Sequence, residues 1–214
     1  MFTGIVQGLC PVTGVDDKPG LRCIAIKLGK LAGGIQTGAS VAINGTCLTV
    51  TSAAKGVVSF DVIRETLENT NLGDLQRGSL VNVERSFRAG DEIGGHILSG
   101  HVIGKVRVAA VEEDENERNV RFDVRAEWMK YLPHKGFVAL DGASLTIARV
   151  DATNDQITVC LIPETIARTT LGSAEPGSWV NLEIDAQTQA VVDTVERVLS
   201  SPEWQRRLRG EPSS

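Results

Sequence analysis

The stretch Asn44-Gly45-Thr46-Cys47-Leu48-Thr49-Val50 decides the fold, because it returns in altered form as Asp141-Gly142-Ala143-Ser144-Leu145-Thr146-Ile147. In both copies a turn-forming Asx-Gly pair leads to a small residue, then to a thiol or hydroxyl side chain. A Leu-Thr pair and a β-branched residue, which are typical of a strand, complete each copy. The pattern indicates that one unit has been duplicated.

The duplication extends well beyond this stretch, as a true internal repeat requires. Three further blocks match in the same order: residues 1–8 with 97–104, 64–73 with 163–172, and 81–84 with 180–183. The repeating unit is too long, and its copies are too few, for a solenoid or a propeller. The sequence therefore predicts two homologous domains in tandem.

The composition is typical of a soluble globular protein, with 42% hydrophobic and 23% charged residues. A net charge of −5 without a long basic run argues against a nucleic-acid partner. No apolar run approaches the roughly 20 residues of a membrane helix, and residues 1–4 lack the basic start of a signal peptide, so we expect a cytoplasmic protein without a membrane partner. Its cysteines form no C-x-x-C pair and are expected to be free thiols, namely Cys10, Cys23, Cys47 and Cys160.

Short runs rich in β-branched residues, separated by glycine and polar turns, predict six strands in each unit of an all-β sandwich or barrel. In the first unit the strands are residues 2–12, 21–28, 40–43, 47–51, 57–62 and 80–84. In the second unit they are residues 99–111, 119–126, 137–140, 144–150, 156–161 and 179–184. A turn is predicted at 16–20, a short helix at 64–69, a linker at 86–95, and a solvated acidic hairpin tip without function at 112–117.

The pattern changes after the second unit, where apolar residues recur at helical spacing. The predicted amphipathic helix has a narrow stripe formed by Ala190, Val191, Thr194, Val195, Val198 and Leu199. Because the first unit has no counterpart, this helix either packs on its own domain or joins subunits. Pro202 either ends it or opens a short turn. The expected division is a barrel at 1–96, a barrel at 97–186, an oligomerisation helix at 187–206 and a disordered tail at 207–214.

Several side chains that can carry chemistry lie in or beside the repeated blocks: Cys47, Thr49, His101, Asp141, Ser144, Thr146, Glu164 and Asp185. Two interpretations stay open. In one, the two copies of the motif face each other across a pocket. In the other, each motif is only a hairpin whose Asx and Thr side chains bond their own backbone. His96 and His101 suggest a metal site, but five residues along a strand point to opposite faces, and no third ligand is near.

Together the blocks resemble the bacterial riboflavin synthase family, the α-type enzymes, over almost the whole chain. The matching blocks are Met1-Phe-Thr-Gly-Ile-Val6, Cys47-Leu-Thr-Val50, Glu92-Ile-Gly-Gly-His96, Ser99-Gly-His101, Asp141-Gly-Ala-Ser-Leu-Thr146, Ile162-Pro-Glu-Thr165 and Asn181-Leu-Glu-Ile-Asp185. The resemblance implies two six-stranded Greek-key barrels similar to flavin-reductase domains, and a homotrimer held by the C-terminal helix. The implied reaction, the last step of riboflavin biosynthesis, converts two 6,7-dimethyl-8-ribityllumazine molecules into riboflavin and 5-amino-6-ribitylamino-uracil without a metal or redox cofactor.

The same resemblance implies two lumazine pockets, with the first barrel of one subunit facing the second barrel of another. One pocket is expected at Gly4, Ile5, Val6, Cys47, Leu48, Thr49, Asp61, Val62, Ile63, Arg64, Glu65 and Thr66. The other is expected at Gly100, His101, Val102, Lys135, Ser144, Leu145, Thr146, Cys160, Leu161, Ile162, Pro163, Glu164 and Thr165. The implied catalytic residues are Cys47 at the acceptor ring, His101 and Ser144 in proton transfer, and Asp185 in orienting polar groups.

Two other functions compete with this interpretation. A non-catalytic lumazine- or flavin-binding protein of the same superfamily keeps the barrels, but the implied catalytic residues are all retained here, which favours the enzyme. An oligonucleotide-binding barrel is opposed by the acidic balance and by few aromatic residues, three Trp, one Tyr and five Phe. Thr46 and Ile43 depart from the expected pattern and are expected to alter affinity at most. The sequence leaves open an association with lumazine synthase.

Overall fold

The computed structural model of the chain describes residues 1–114 and 117–208. The two halves form two closed antiparallel barrels of six strands each, which confirms the predicted duplication and fold class. The first barrel consists of β1 (Gly8–Lys18), β2 (Leu21–Lys27), β3 (Ser40–Ile43), β4 (Thr46–Ala54), β5 (Val57–Ile63) and β6 (Leu80–Arg85). The second consists of β7 (Gly104–Glu113), β8 (Arg118–Asp123), β9 (Phe137–Leu140), β10 (Ala143–Asp151), β11 (Gln156–Leu161) and β12 (Trp179–Ile184).

The strands follow the same Greek-key order in both barrels. Around the first barrel the order is β1-β2-β5-β4-β3-β6, and around the second it is β7-β8-β11-β10-β9-β12. Each barrel has its own apolar core, in which the largest fully buried side chains include Phe60 in the first and Phe122 in the second. Side chains alternate between core and surface along each strand, as a pleated strand requires. The barrels are thus two copies of one folded unit.

Helices are few and short. In each barrel a one-turn helix follows the fifth strand, α1 (Arg64–Asn69) in the first and α2 (Pro163–Arg168) in the second, as predicted for the first copy. Short 3₁₀ turns occupy 29–32, 71–74, 126–131 and 170–173. The C-terminal segment forms α3 (Ala186–Ser200) and α4 (Pro202–Leu208), since the ring of Pro202 disfavours a helical residue before it. Among the described helices, none is long and apolar enough to cross a membrane.

The predicted tail begins too early, because its first residues belong to α4; the remaining tail residues, 209–214, lie outside the described part of the chain. The acidic hairpin tip is likewise only partly described, because 115–116 lie outside it. In the first barrel, β1 runs through most of the turn predicted at 16–20 and ends at Lys18. Asp16 and Asp17 pair with Cys23 and Arg22, so the turn shortens to Pro19–Gly20.

The first strand of each unit starts later than predicted, at Gly8 and at Gly104. The residues before them do not belong to a barrel ladder. Phe2 instead exchanges two backbone hydrogen bonds with Leu98, both 2.9 Å long, so the two leading segments pair with each other. Phe2 and Leu98 are almost completely buried there. Their apolar character, which the sequence presents as the start of a strand, serves the contact between the barrels.

A buried polar network joins the barrels at equivalent positions of the repeat. Asn82 of the first barrel donates from its side chain to the backbone oxygen of Asp141 at 2.9 Å. Asn181 of the second barrel donates in the same way to the backbone oxygen of Asn44 at 2.8 Å. Asn71 adds a bond of 2.9 Å to the Asp141 carboxylate. Because buried polar groups are stable only when they are bonded, this network fixes one relative orientation of the barrels.

The hairpin turns of the two repeated motifs pack directly on each other. Asn44 and Gly45 both have positive φ, 44° and 78°, as a type I′ turn requires. A Cβ atom on Gly45 would lie 2.7 Å from the backbone nitrogen of Gly142, and one on Gly142 would lie 2.7 Å from the nitrogen of Gly45. Each motif does form a hairpin, but its Asx side chain bonds Asn71, Asn82 or Asn181 and not the backbone of its own turn. The two turns form a close backbone contact between the barrels.

Adding a methyl group at this contact should separate the barrels. Gly45→Ala is expected to lower the free energy of unfolding by about 1–3 kcal/mol more than Gly20→Ala, because only the first overpacks a backbone contact. Gly20 is a matched control: its φ of 75° imposes the same backbone strain, and nothing lies within 4 Å of its Cβ position. Urea denaturation measures both values. Equal losses in the two variants would contradict the proposed contact.

Asp141 makes the network sensitive to pH. Burial raises the pKa of its carboxyl group from 3.8 to about 7. Hydrogen bonds from Asn181, Thr170 and Asn71 act to lower this pKa, but burial outweighs them. Because this pKa is higher in the folded chain than in the unfolded chain, the group favours folding most below pH 4, and the benefit is lost as pH rises towards 7.

Asp141→Asn, which reproduces the residue of the first copy, should remove this dependence. We expect the variant to be more stable than the parent chain, with a gap that widens between pH 5 and pH 8 to at most about 4 kcal/mol. Thermal unfolding at the two pH values measures the gap. A gap that stays constant, or a variant that is less stable at pH 8, would show that Asp141 is held as a carboxylate without penalty.

Candidate active site

Two equivalent segments are fixed by buried glutamates, each in the barrel to which the segment belongs in sequence. Glu84 accepts hydrogen bonds from the backbone and side chain of Thr3, at 2.6 and 2.7 Å, and from the backbone of Gly4 at 3.0 Å. Burial raises the pKa of Glu84, although these bonds act to lower it. Glu183 holds Ser99 and Gly100 in the same way, at 2.7 and 3.2 Å. Both segments are therefore rigidly placed.

The other side of each segment lies against the opposite barrel. The Ser144 backbone N–H donates to the Gly4 oxygen at 2.8 Å, and the Cys47 backbone N–H donates to the Gly100 oxygen at 2.9 Å. A Cβ atom on Gly4 would lie 2.5 Å from the Cβ of Ser144, and one on Gly100 would lie 2.6 Å from the Cβ of Cys47. Val6 is accordingly part of the apolar core of the second barrel. Only glycine permits this close approach.

This crossing corrects the predicted grouping of the site residues. The sequence places 4–6 with Cys47 and 100–102 with Ser144, whereas the structure exchanges the two segments. What we call the first site consists of Cys47, Leu48, Thr49, Asp61, Val62, Ile63, Arg64, Glu65, Thr66, Gly100, His101 and Val102. The second candidate site groups the predicted residues Ser144, Leu145, Thr146, Cys160, Leu161, Ile162, Pro163, Glu164 and Thr165 with Gly4, Ile5 and Val6. Lys135, also predicted there, lies beside β10, where its backbone N–H donates to the Ile147 oxygen at 2.9 Å.

Not every predicted residue presents its side chain to these sites. Leu48, Val62 and Leu161 point into the barrel cores, with exposures of 5%, 1% and 1%, so a ligand meets only their backbone. Large apolar side chains lie exposed beside them, with Ile63 at 55% and Ile162 at 62%. Exposed apolar groups next to hydrogen-bonding backbone suit a flat ring with polar edges. The remaining exposed site residues are Ile5, Thr49, Asp61, Arg64, Glu65, His101, Lys135, Thr146, Cys160, Pro163 and Glu164.

The first site combines a thiol and an imidazole. Cys47 is a half-buried free thiol on β4, and His101 is exposed next to Gly100. Asp61 lies across the ladder from Cys23, whose thiol bonds to its carboxylate. Burial raises the pKa of Cys23, and Asp61 raises it further, so Cys23 stays a neutral donor to that carboxylate.

The second site also contains His96, which is not among the site residues predicted from the sequence. His96 Nδ1 lies 2.6 Å from the Ser144 Oγ, and the imidazole ring stacks on Phe137 with centroids 4.9 Å apart. His96 is only 7% exposed, whereas His101 is exposed. Neither lies on a strand, so the expectation based on opposite faces of a strand does not apply to them. Within the described residues no three His, Cys, Asp or Glu side chains are grouped to hold a metal ion. The sequence shows the Glu92-Ile-Gly-Gly-His96 motif, but it does not show that Ser144 is the hydrogen-bond partner of His96.

Asp185 lies where the second barrel ends and α3 begins. Its carboxylate accepts from the Thr188 backbone at 2.8 Å and from the Thr188 hydroxyl at 2.7 Å, and therefore caps the helix. Burial raises the pKa of Asp185, but these bonds outweigh it, and the pKa is lower than usual. Burial lowers the pKa of His96, and the negative charge of Asp185 partly opposes this effect.

A separate cleft of about 600 Å³ lies between the barrels. Asn44 and Asp141 of the two motifs line it, beside the direct contact between their turns. Cys47 and Ser144, however, do not line it. Its polar floor is already bonded internally through Asn71, so the side chains that can carry chemistry lie at the two sites instead.

The fold and these two candidate sites define a class of protein: a duplicated barrel whose leading segments cross beside two equivalent hairpins. The lumazine-binding domain family matches twice, at residues 3–86 and 99–185. Over 205 residues the chain is 52% identical to riboflavin synthase of Escherichia coli (strain K12), covering 95% of each protein, and it is 44% identical to that of Chlamydia pneumoniae over 202 residues, covering 94% and 98%. The chain belongs to the riboflavin synthase family.

Solved structures agree with this assignment. LumP complexed with riboflavin superimposes with a TM-score of 0.80 at 26% identity, covering 86% of this chain and all of that one. LumP complexed with 6,7-dimethyl-8-(1'-D-ribityl) lumazine superimposes with a TM-score of 0.76 at 27% identity, covering 86% and 98%.

The crossing of the segments can be tested through cysteine labelling. Glu183→Ala removes the carboxylate that holds Gly100 against Cys47, so we expect Cys47 to be alkylated about tenfold faster, since hydrogen bonds to a charged group are worth about 1.5–3 kcal/mol. Brief alkylation followed by peptide mass spectrometry measures the rate, with exposed Cys160 as internal reference. Glu84→Ala is the matched control, because Glu84 holds the segment that lies on Ser144. If Glu84→Ala increases the alkylation rate of Cys47 as much as Glu183→Ala does, the assignment of the Gly100 segment to Cys47 is wrong.

Proposed function

We propose that this chain is a riboflavin synthase that converts two molecules of 6,7-dimethyl-8-ribityllumazine into riboflavin and 5-amino-6-ribitylamino-uracil. A four-carbon unit passes from one lumazine to the other, and the two products together contain all atoms of the two substrates. The reaction is therefore balanced without an external oxidant or reductant, and we propose no cofactor.

One observation carries the proposal: the chain holds two sites of the same backbone geometry with different chemical groups. Two identical substrates that react differently need such a pair. Backbone N–H and C=O groups along β4 and β10 suit the alternating donors and acceptors of a pteridine edge, and the exposed isoleucines suit its faces. Cys47 and Ser144 occupy the same position in the two copies, as do Ile5 and His101, so similar rings meet unlike side chains.

The assigned roles follow from these positions. Removal of a proton from the C7 methyl group of one lumazine gives a carbanion that is delocalised into the ring, and Ser144 takes part in this transfer. Cys47 contacts the second lumazine, and His101 assists proton transfer at the same site. Asp185 orients the polar groups around His96. Holding two rings in register contributes most of the rate, since orientation can be worth about 7–11 kcal/mol.

A homotrimer would bring two sites together, with the first barrel of one subunit facing the second barrel of another. The C-terminal helix supports this assembly. One face docks on its own barrel, where Val192 packs against the core, Tyr131 bonds Asp193 and Lys130 pairs with Glu196. Three residues of the predicted apolar stripe instead point outward, namely Val191, Val195 and Leu199, at 64%, 49% and 52% exposure. We further propose a cytoplasmic location, and we regard association with lumazine synthase as a prediction.

A second candidate function is storage or transport of a lumazine without turnover. The superposition on LumP favours it, because those structures hold riboflavin or a lumazine in the same fold. The retention of Cys47, His101, Ser144 and Asp185 favours the enzyme.

Incubation of the purified chain with 6,7-dimethyl-8-ribityllumazine alone distinguishes the two functions. We expect continuous formation of one riboflavin for every two lumazines consumed, followed by absorbance and fluorescence, because the two sites supply the orientation and the proton transfer. A boiled sample corrects for spontaneous reaction. Tight lumazine binding without riboflavin formation would identify a carrier and would remove the catalytic roles given above.

A further inference from the structure

A row of polar side chains crosses three neighbouring strands on the outside of the first barrel and ends at the first site. Asp16 of β1 pairs with Cys23 of β2, and Cys23 pairs with Asp61 of β5. Residues paired across a ladder point to the same face, with Cβ atoms about 4.5–5.5 Å apart. On its other side β5 pairs with β4, the strand of Cys47 and Thr49. The row therefore leads from the hairpin of β1 and β2 to the first site.

Within this row the Cys23 thiol is directed at Asp61 and not at Asp16. Lys18 lies 3.6 Å from the Asp16 carboxylate and partly balances its charge. Asp61 forms no ion pair within the described part of the chain, and its carboxylate accepts a hydrogen bond from the thiol. Burial, Asp61 and Asp16 raise the pKa of the Cys23 thiol, and only Lys18 lowers it. The thiol therefore keeps its proton and remains a donor.

The second barrel carries a different row at the same positions. Asp61 and Cys160 each stand three residues before the matching blocks 64–73 and 163–172, so they are equivalent. Cys160 pairs with Asn119, and Asn119 pairs with Glu112. The thiol thus stands at the site itself, and the second site has no carboxylate at this position. Only the first site presents a carboxylate that a neighbouring thiol holds.

Such a carboxylate suits a ligand that carries hydroxyl groups. A hydroxyl group donates one hydrogen bond, whereas an ionised carboxylate only accepts. Hydrogen bonds to an ionised group are roughly twice as strong as those between neutral groups. Asp61 is exposed, so without a partner its side chain would lose rotational freedom when a ligand binds. A fixed donor removes part of that cost in advance, because a group that is already oriented binds more tightly.

We propose that Cys23 is a positioning residue of the first site: its thiol orients the Asp61 carboxylate to accept a hydrogen bond from a ribityl hydroxyl group. This inference rests on the proposed function, which brings a ring system with a ribityl chain to that site. Cys23 does not touch the ligand and takes no part in proton transfer. It raises the affinity of the first site for the ribityl chain and leaves the second site unchanged.

A comparison of riboflavin with lumiflavin tests this role in the purified full-length chain. Lumiflavin has the same ring system with a methyl group in place of the ribityl chain, and it therefore cannot use Asp61. Each flavin is added at increasing concentration before brief alkylation and peptide mass spectrometry. Protection of Cys47 then reports occupancy of the first site, and protection of Cys160 reports occupancy of the second.

Cys23→Val removes the donor and places a residue suited to a strand on the outer face. We expect the riboflavin concentration that half-protects Cys47 to rise about three- to tenfold, because a hydrogen bond to a charged group is lost. The corresponding lumiflavin concentration should not change, nor should the protection of Cys160 by riboflavin. Cys23→Ser is the matched control: its hydroxyl group also donates to Asp61, so it should restore the riboflavin affinity of the parent chain.

A double variant separates the pair from two independent effects. Asp61→Ala should itself weaken the protection of Cys47 by riboflavin. Adding Cys23→Val should weaken it no further, because the thiol acts only through that carboxylate. Additive losses would overturn the positioning role.

The outcomes distinguish this role from the proposed function. A parent chain in which riboflavin does not protect Cys47 refutes the first site, and the proposed function with it. If the parent is protected and Cys23→Val responds at the same riboflavin concentrations, or loses riboflavin and lumiflavin equally, only the positioning role is refuted. If Cys23→Val does not fold, Raman spectroscopy decides. The S–H stretching band that is missing in Cys23→Ser should move to higher frequency in Asp61→Ala, and an unchanged band contradicts the role.

Discussion

The contact between the two hairpin turns is the constraint on which the rest of the structure depends. Gly45 and Gly142 bring two backbones together at a distance that no side chain permits. Around this contact, Asn82 and Asn181 reach across to the opposite turn and satisfy its carbonyl groups. Because these bonds are buried, the barrels cannot slide without leaving polar groups unpaired. The leading segments must then cross, and each lies on the barrel that it does not belong to in sequence.

This crossing produces sites that neither barrel builds alone. Glu84 and Glu183 fix the segments from one side, and the backbones of Ser144 and Cys47 fix them from the other. The backbone is therefore nearly symmetrical, while the side chains are not. Cys47 corresponds to Ser144, and His96 corresponds to nothing. A duplicated scaffold of this kind can bind the same molecule twice and treat the two copies differently, which is what a reaction between two identical substrates requires.

The sequence predicts the elements better than their long-range partners. The repeat, most strands of each unit and the hairpin at Asn44 follow from local patterns, because turn chemistry and alternation act over a few residues. The path of residues 2–6 does not follow, since an apolar Phe2 fits both a barrel strand and the contact with Leu98. The role of His96 could not be predicted either, because it depends on a hydrogen bond to Ser144, which is 48 residues away in sequence. Val191 and Val195 show the reverse, as their stripe is correctly predicted but stays exposed on the single chain.

The most direct test of this account is a crystal structure of the chain with 6,7-dimethyl-8-ribityllumazine bound. We predict one lumazine against Cys47 and His101, and a second against Ser144 and Ile5, so that each ligand touches segments from both halves of the chain. A lumazine that contacts Cys47 together with Gly4, or one that occupies the cleft lined by Asn44 and Asp141, would contradict the crossed arrangement of the sites.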